Sequence, residues 1–221
     1  MFVDSVNVGV RAPNPYKPEH STGIDKRPVA EPVHVRDPGP RTTGLGSGLV
    51  GDFIGDGKHH GGSDQALYAF AREDLDDWQG RLQRPLPNGF FGENLTTSGL
   101  DVNEALIGER WLIGDTVVLQ VTSPRIPCST FRGWVGETGW LKIFTEVARP
   151  GAYLRVVTPG LVAAGDRIEV VHHPEHRVTV SLVYRALTVE RDLLRQLRPA
   201  WDDLDEETRE LVAANETITL D

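Results

Sequence analysis

Through roughly the first 170 residues, apolar and polar positions alternate in short runs instead of recurring at helical spacing. Runs of period two with Val, Ile, Phe and Tyr read as half-buried strands. They cover residues 2–8, 33–36, 66–70, 111–113, 116–122, 152–157 and 167–172. The turns Ile113-Gly114-Asp115 and Ala164-Gly165-Asp166 each place Gly-Asp directly before an alternating run, a composition suited to tight reversals. Two helical patterns interrupt this body. Within residues 72–82, Leu75, Trp78 and Leu82 share one face, and residues 140–148 are closed by Pro150-Gly151.

Beyond Pro174 the period changes. Residues 178–186, 189–197 and 206–214 form three short helical patterns rich in Leu, Arg and Glu, with Thr188 and Asp205 placed to cap the second and third. The pattern predicts a mainly β domain over residues 1–173 with a few short helices, and a small all-α extension over residues 174–221. That extension reads either as a partner-docking module or as helices packed on the β body.

Composition narrows the function. The 23 glycines and 15 prolines concentrate between the β-like runs, which agrees with a strand-rich body. A formal net charge of −9 argues against nucleic acid as the main partner. It leaves room for a local basic pocket. A single cysteine excludes an intramolecular disulfide framework, a Cys-rich zinc site and a self-contained iron–sulfur cluster. Met1-Phe2-Val3-Asp4-Ser5 does not resemble a secretion leader, and no apolar run approaches membrane-spanning length. The expectation is a cytoplasmic protein without membrane contact.

That cysteine, Cys128, follows Ser123-Pro124-Arg125-Ile126-Pro127. The prolines fix φ and favour extended backbone before each of them, so the segment is predicted as a rigid loop just past a strand end. Arg125 brings a permanent positive charge that lowers the pKa of a nearby thiol. The competing reading is a small buried hydrophobe.

Other candidate motifs are weaker. Gly46-Ser47-Gly48-Leu49-Val50-Gly51 matches the dinucleotide fingerprint in letters, but neither a strand before it nor a helix after it is readable. Gly57-Lys58 precedes His59 where a P-loop needs Ser or Thr. In Lys58-His59-His60-Gly61-Gly62-Ser63-Asp64, the glycine amides form a candidate anion nest. His59 and His60 do not make a zinc site, because neighbouring side chains on an extended segment point apart. Asn88-Gly89-Phe90-Phe91-Gly92-Glu93-Asn94 sets aromatic surface beside a carboxylate and an amide. That suits a polar heterocycle, and equally a loop that plugs the core.

Read in order, these segments resemble the MOSC family (molybdenum cofactor sulfurase C-terminal domain), in its small stand-alone bacterial form with a three-helix extension. The resemblance runs through Thr22-Gly23-Ile24-Asp25-Lys26-Arg27-Pro28-Val29, His60-Gly61-Gly62-Ser63-Asp64-Gln65-Ala66-Leu67-Tyr68 and Phe91-Gly92-Glu93-Asn94-Leu95. It continues through Ile107-Gly108-Glu109-Arg110-Trp111, Pro124-Arg125-Ile126-Pro127-Cys128 and Arg149-Pro150-Gly151-Ala152-Tyr153. Gln65 stands where a basic residue is usual, and Glu109 where Asp is commoner.

The resemblance implies a barrel-like β fold that binds a molybdopterin-type molybdenum cofactor, with Cys128 as the metal ligand. A soft thiolate suits that role. Lys26, Arg125 and the amides of His60, Gly61 and Gly62 are then expected at the cofactor phosphate. Asp64, Glu93 and Asn94 are expected at the pterin edges, and Tyr68 and Phe91 along the pocket wall. The implied activity is reduction of N-hydroxylated compounds, such as hydroxylaminopurines and amidoximes, to amines, with Cys128 and His60 catalytic. Electrons would come from a separate reductase, since the chain carries no flavin fingerprint. The alternative is a cofactor carrier or sulfur-handling protein without its own turnover.

Overall fold

The computed structural model describes residues 1–220. Strands β1 (Phe2–Gly9), β2 (Ala12–Pro13), β3 (Ser21–Thr22), β4 (Lys26–Val29) and β5 (Val33–Val35) come first. A 3-10 turn (Ser63–Gln65), β6 (Leu67–Ala71), helix α1 (Arg72–Leu82) and β7 (Leu95–Ser98) follow. Next are β8 (Arg110–Ile113), β9 (Val117–Pro124), α2 (Ser129–Val135), α3 (Trp140–Val147), β10 (Ala152–Thr158), β11 (Gly160–Val162) and β12 (Ile168–His172). Last in order are α4 (Val180–Thr188), a 3-10 segment (Arg191–Ala200) and α5 (Glu206–Ala214).

Eight strands form one sheet in the order β12-β8-β9-β10-β6-β7-β1-β4, and β5–β11 and β2–β3 form two small pairs. Neighbours in the large sheet are antiparallel except β6 and β7, which run parallel with α1 as their crossover. β9 lies inside the sheet and α4 packs on it, so seven of its eight residues are buried and its polar–apolar alternation is muted.

The expected barrel is not closed. β1 gives one edge to β7 over Phe2–Val6 and the other to β4 over Val6–Gly9. Only its first residues remain to meet the β12 end of the sheet. They do so through one isolated bridge, Phe2 with Arg167, flanked by backbone bonds Val3 N to Asp166 O (2.9 Å) and Ile168 N to Met1 O (2.9 Å).

Two hydrophobic clusters divide the interior. An aliphatic one joins the sheet to the extension: Val6, Leu95, Leu119 and Leu154 belong to the same cluster as Val183, Leu187, Leu194 and Leu204. An aromatic one holds Tyr68, Phe70, Trp78, Phe91, Phe131, Trp140, Phe144 and Tyr184. In it Phe91 meets Phe70 at 5.1 Å and Phe131 at 5.2 Å between ring centroids, both edge to face.

The C-terminal caps differ from expectation in one case. Asp205 does cap α5, accepting from Thr208 N. Thr188 caps nothing, because α4 runs through it and its hydroxyl donates back to Tyr184 O at 2.7 Å. Thr179 caps α4 instead, accepting from Leu182 N. The middle segment winds as a 3-10 helix and carries Pro199 inside it. No helix among the described residues is long and apolar enough to cross a membrane.

Candidate functional site

Cys128 lies in the short connection between β9 and α2, as the alternation and the prolines predict, and occupies the N-cap position of α2 with φ −119° and ψ 171°. Helix α2 itself was not readable, since its seven residues follow directly on the proline-bracketed loop. The thiol is half-buried. Burial pushes its pKa up, but a hydrogen bond from His60, the charge of Arg125 and the Phe131 amide outweigh this and bring it down to about 6. Near neutral pH the sulfur is a thiolate.

Arg125 is almost wholly buried, at 4 % exposure. Its guanidinium carbon sits 3.8 Å from the Phe131 ring centroid and 5.8 Å from that of Tyr68, a cation held on aromatic faces. Its Nη1 has no hydrogen-bond partner, and the guanidinium pairs with no carboxylate among the described residues. Gln65 Oε1 is likewise buried without a partner. A donor cation and an acceptor carbonyl are thus both left open among the residues that line one cavity.

That cavity is a narrow slot of about 120 Å³. Its lining includes Lys26, Gly61, Tyr68, Phe91, Asn94 and Arg125, with His60, Gln65, Cys128 and Tyr153 at one end. Eight of the expected residues (Lys26, His60, Gly61, Tyr68, Phe91, Asn94, Arg125 and Cys128) therefore meet in one place. Several are engaged inside the protein. Lys26 Nζ is paired with buried Asp52, which also accepts from Gly9 N (2.8 Å), Ser47 Oγ (2.7 Å) and Asn94 Nδ2 (3.0 Å). Asn94 Oδ1 accepts from Tyr68 N at 3.1 Å, and Tyr68 Oη donates to Pro150 O at 2.7 Å.

Gly62, Asp64 and Glu93 are not on the slot lining. Gly62 has φ 81° and its amide donates to Gly46 O at 2.9 Å, so it closes the Gly61-Gly62 turn against the 46–48 loop. A Cβ on Gly61 would stand 2.7 Å from Gly46 O, which is why this turn needs glycine. Asp64 binds Arg155 through Nε (3.0 Å) and Nη2 (2.5 Å). Glu93 is fully buried and accepts from Gly89 N (2.5 Å), Phe91 N (3.0 Å) and Thr96 Oγ1 (2.8 Å). Burial pushes its carboxyl up to about 7 against those bonds. It shapes the loop that carries Phe91 and Asn94.

Sequence reasoning missed Lys17, Tyr153 and the central role of Asp56 at this site. Asp56 Oδ2 lies 3.0 Å from Lys17 Nζ and from His59 Nδ1, and 4.0 Å from His20 Nε2. Although burial opposes it, the His59 and Lys17 contacts hold the Asp56 carboxyl well below the usual carboxylate range. The backbone amides of His59 and His60 also cap on Asp56 O. Lys17 stands 39 residues from Asp56, so spacing carries no signal of their contact.

A second cavity of about 450 Å³ opens on the other side of Cys128. Lys17, Asp56, His60, Gln65, Cys128, Ser129 and Tyr153 line both cavities. The far wall of the second comes from the C-terminal extension, including Leu187, Thr208, Leu211 and Ile218.

A model of the MOSC domain matches residues 56–169, more than half of the chain. The chain belongs to the MOSC domain family. YflK of Bacillus subtilis, an uncharacterized protein, is 32% identical over 164 residues, covering 74% of this chain and 70% of that one. A Gibberella moniliformis protein named Reductase is 30% identical over 157 residues, 68% of this chain but 28% of its own length. Escherichia coli YiiM is 30% identical over 131 residues, 56% of each chain. The crystal structure of YiiM from Geobacillus stearothermophilus superposes with a TM-score of 0.77 at 25% identity, covering 97% of this chain and 98% of that one. The MOSC match ends before the extension, whereas that structural likeness continues through it.

Do the residues of this MOSC domain fit a molybdenum cofactor? Among the described residues no three His, Cys, Asp or Glu side chains gather to hold a metal. A metal at Cys128 must then arrive on a ligand that brings its own donors, as a pterin dithiolene does. The open Arg125 Nη1 meets the need of an anionic phosphate, and the open Gln65 Oε1 that of a ring rich in N–H groups. The residues fit.

Proposed function

We propose that this protein is a molybdenum-cofactor-dependent reductase of N-hydroxylated compounds. One observation carries the reading: a buried arginine with no carboxylate partner among the described residues lines the same cavity as a cysteine of lowered pKa. Burying an unpaired cation costs several kcal/mol in general. A site that keeps one open is prepared for an anionic ligand. Cys128 serves as the protein's metal ligand, Arg125 compensates the phosphate, and Gln65 accepts from the pterin edge.

When bound, the cofactor supplies two-electron removal of oxygen, R–NHOH + 2 H⁺ + 2 e⁻ → R–NH₂ + H₂O. The chain's residues set the conditions for it. His60 lines both cavities beside Cys128 and helps to lower the thiol pKa, so it is placed to pass a proton to the departing oxygen. Tyr68, Phe91 and Tyr153 give the slot aromatic walls. The electrons come from a separate donor. The fungal protein named Reductase supports this division, since the matched region is 28% of its length.

The test is the molybdenum-to-protein ratio of wild type and Cys128→Ala from a host that makes the cofactor, with benzamidoxime reduction assayed on the same samples. Near-stoichiometric metal and turnover in wild type alone are expected. Metal without turnover points to a carrier. Absence of metal from both overturns the reading.

A further inference from the structure

We infer that the larger cavity is the substrate compartment and that the C-terminal extension makes it selective for N-hydroxylated compounds with an apolar alkyl or aryl body. This rests on the reductase reading and adds to it which residues choose the substrate.

The two cavities differ in kind. Arg125 and Lys26 line the slot, but neither lines the larger cavity. The one lysine there, Lys17, is paired with Asp56 at 3.0 Å. Its other acids are also engaged. Asp205 accepts from both Thr208 N (2.9 Å) and Thr208 Oγ1 (2.8 Å), and Glu207 pairs with Arg41 at 3.2 Å. Apart from Cys128 and the histidines, the charged side chains that line it among the described residues are paired within the protein, and none gives the open cation that Arg125 gives the slot, so the charged cofactor is assigned to the slot and a neutral molecule to the larger cavity.

Beside the polar side chains of Ser123, Ser129, Thr208 and Thr219, its walls carry an apolar set. Pro124, Ile126 and Pro127 of the cysteine loop face Leu187, Leu211 and Ile218 of the extension. The extension is held in place there. Ile218 N donates to Leu187 O at 2.7 Å, Arg191 Nε donates to Asn215 O at 2.9 Å, and Leu187 is part of the aliphatic core that runs into the sheet. A substrate seated there presents its N–O group to the wall that carries Cys128 and His60, while its body rests on leucine and isoleucine. The step balances as R–C(NH₂)=NOH + 2 H⁺ + 2 e⁻ → R–C(NH₂)=NH + H₂O, with the electrons from the external donor.

The experiment compares wild type with Leu211→Trp, which fills the cavity from its far wall, and with Ile218→Trp as a second placement should the first disturb α5. Benzamidoxime and acetamidoxime are assayed on the holoprotein with reduced methyl viologen as donor. In parallel, cofactor-free protein is alkylated at Cys128 with N-phenylmaleimide and with iodoacetamide. The expected result is a fall of tenfold or more in the benzamidoxime-to-acetamidoxime ratio of kcat/KM, the same fall in the phenylmaleimide-to-iodoacetamide rate ratio, and unchanged molybdenum content. If both ratios stay within twofold of wild type in folded variants, the inference is overturned. It is also overturned if molybdenum content collapses, because the cavity then belongs to the cofactor. If wild type reduces neither amidoxime yet the alkylation ratio falls as expected, the reductase reading fails while the apolar compartment stands.

Discussion

Two arginines flank the same pair of strands, and they are treated in opposite ways. Arg149, just before β10, is matched twice, by Asp74 at 2.5 Å and Asp101 at 2.9 Å, and is partly exposed. Arg125, just after β9, is more deeply buried and pairs with no carboxylate among the described residues; its backbone amide even reaches Gly151 O, at 3.4 Å, in the Arg149 loop. The Arg149 region closes on itself: Asp74 also accepts from Asn103 Nδ2 (2.7 Å), and Asn103 Oδ1 accepts from Gly151 N (2.9 Å). The Arg125 region ends on an open nitrogen supported by aromatic faces. Matched charge marks a brace, and unmatched charge marks a place for a ligand.

Substitutions separate the two. The largest effect is expected for Arg125→Met, which should lower molybdenum occupancy by at least tenfold, about 1.4 kcal/mol of binding. It should leave urea stability of the cofactor-free protein within about 1 kcal/mol of wild type, because a buried charge leaves with it. Arg149→Met should do the reverse. It should cost about 2 kcal/mol in urea unfolding by leaving buried Asp74 under-satisfied, with metal occupancy of the folded fraction unchanged. If Arg125→Met proves the more destabilising of the two, the contrast collapses.

Phe131→Leu tests the aromatic support. Loss of the ring face beneath Arg125 should cost roughly 1–2 kcal/mol and weaken cofactor retention without removing it, read by metal content after dialysis. The smallest effect concerns protons. Alkylation of Cys128 in cofactor-free protein should rise through a midpoint near pH 6. His60→Ala should move that midpoint up further than Arg125→Met, the His60 hydrogen bond being the larger of the two lowering influences. Because folding depresses this pKa, its contribution to stability is full above the unfolded thiol value, near 8.5. It is lost as pH falls toward 6.

The same contrast shows what a sequence discloses. Strands 66–70 and 152–157, helix 72–82, the loop at Cys128 and the presence of Arg125 are all local signals, and the structure places each close to where it was read. Barrel closure failed because it depends on how β1 shares its two edges, which no local run encodes. Lys26 and Asn94 read as ligand-facing polar residues, and they do line the slot. Their pairing with Asp52 spans 26 and 42 residues, beyond any spacing rule. Glu93 reads as a contact for a heterocycle, and the fold gives it three internal donors instead. The second cavity was illegible for the same reason, since its walls come from both ends of the chain.

The incomplete closure of the sheet also orders events in time. Val3 bonds to Asp166 and Gly165, a separation of about 160 residues, and nothing nearer in the chain supplies those bonds. β1 leaves that edge unsatisfied until the turn between β11 and β12 is in place, a long-range closure of the kind that slows folding and exposes strand edges to neighbouring chains. That edge of β1 is among the last parts of the sheet to be secured.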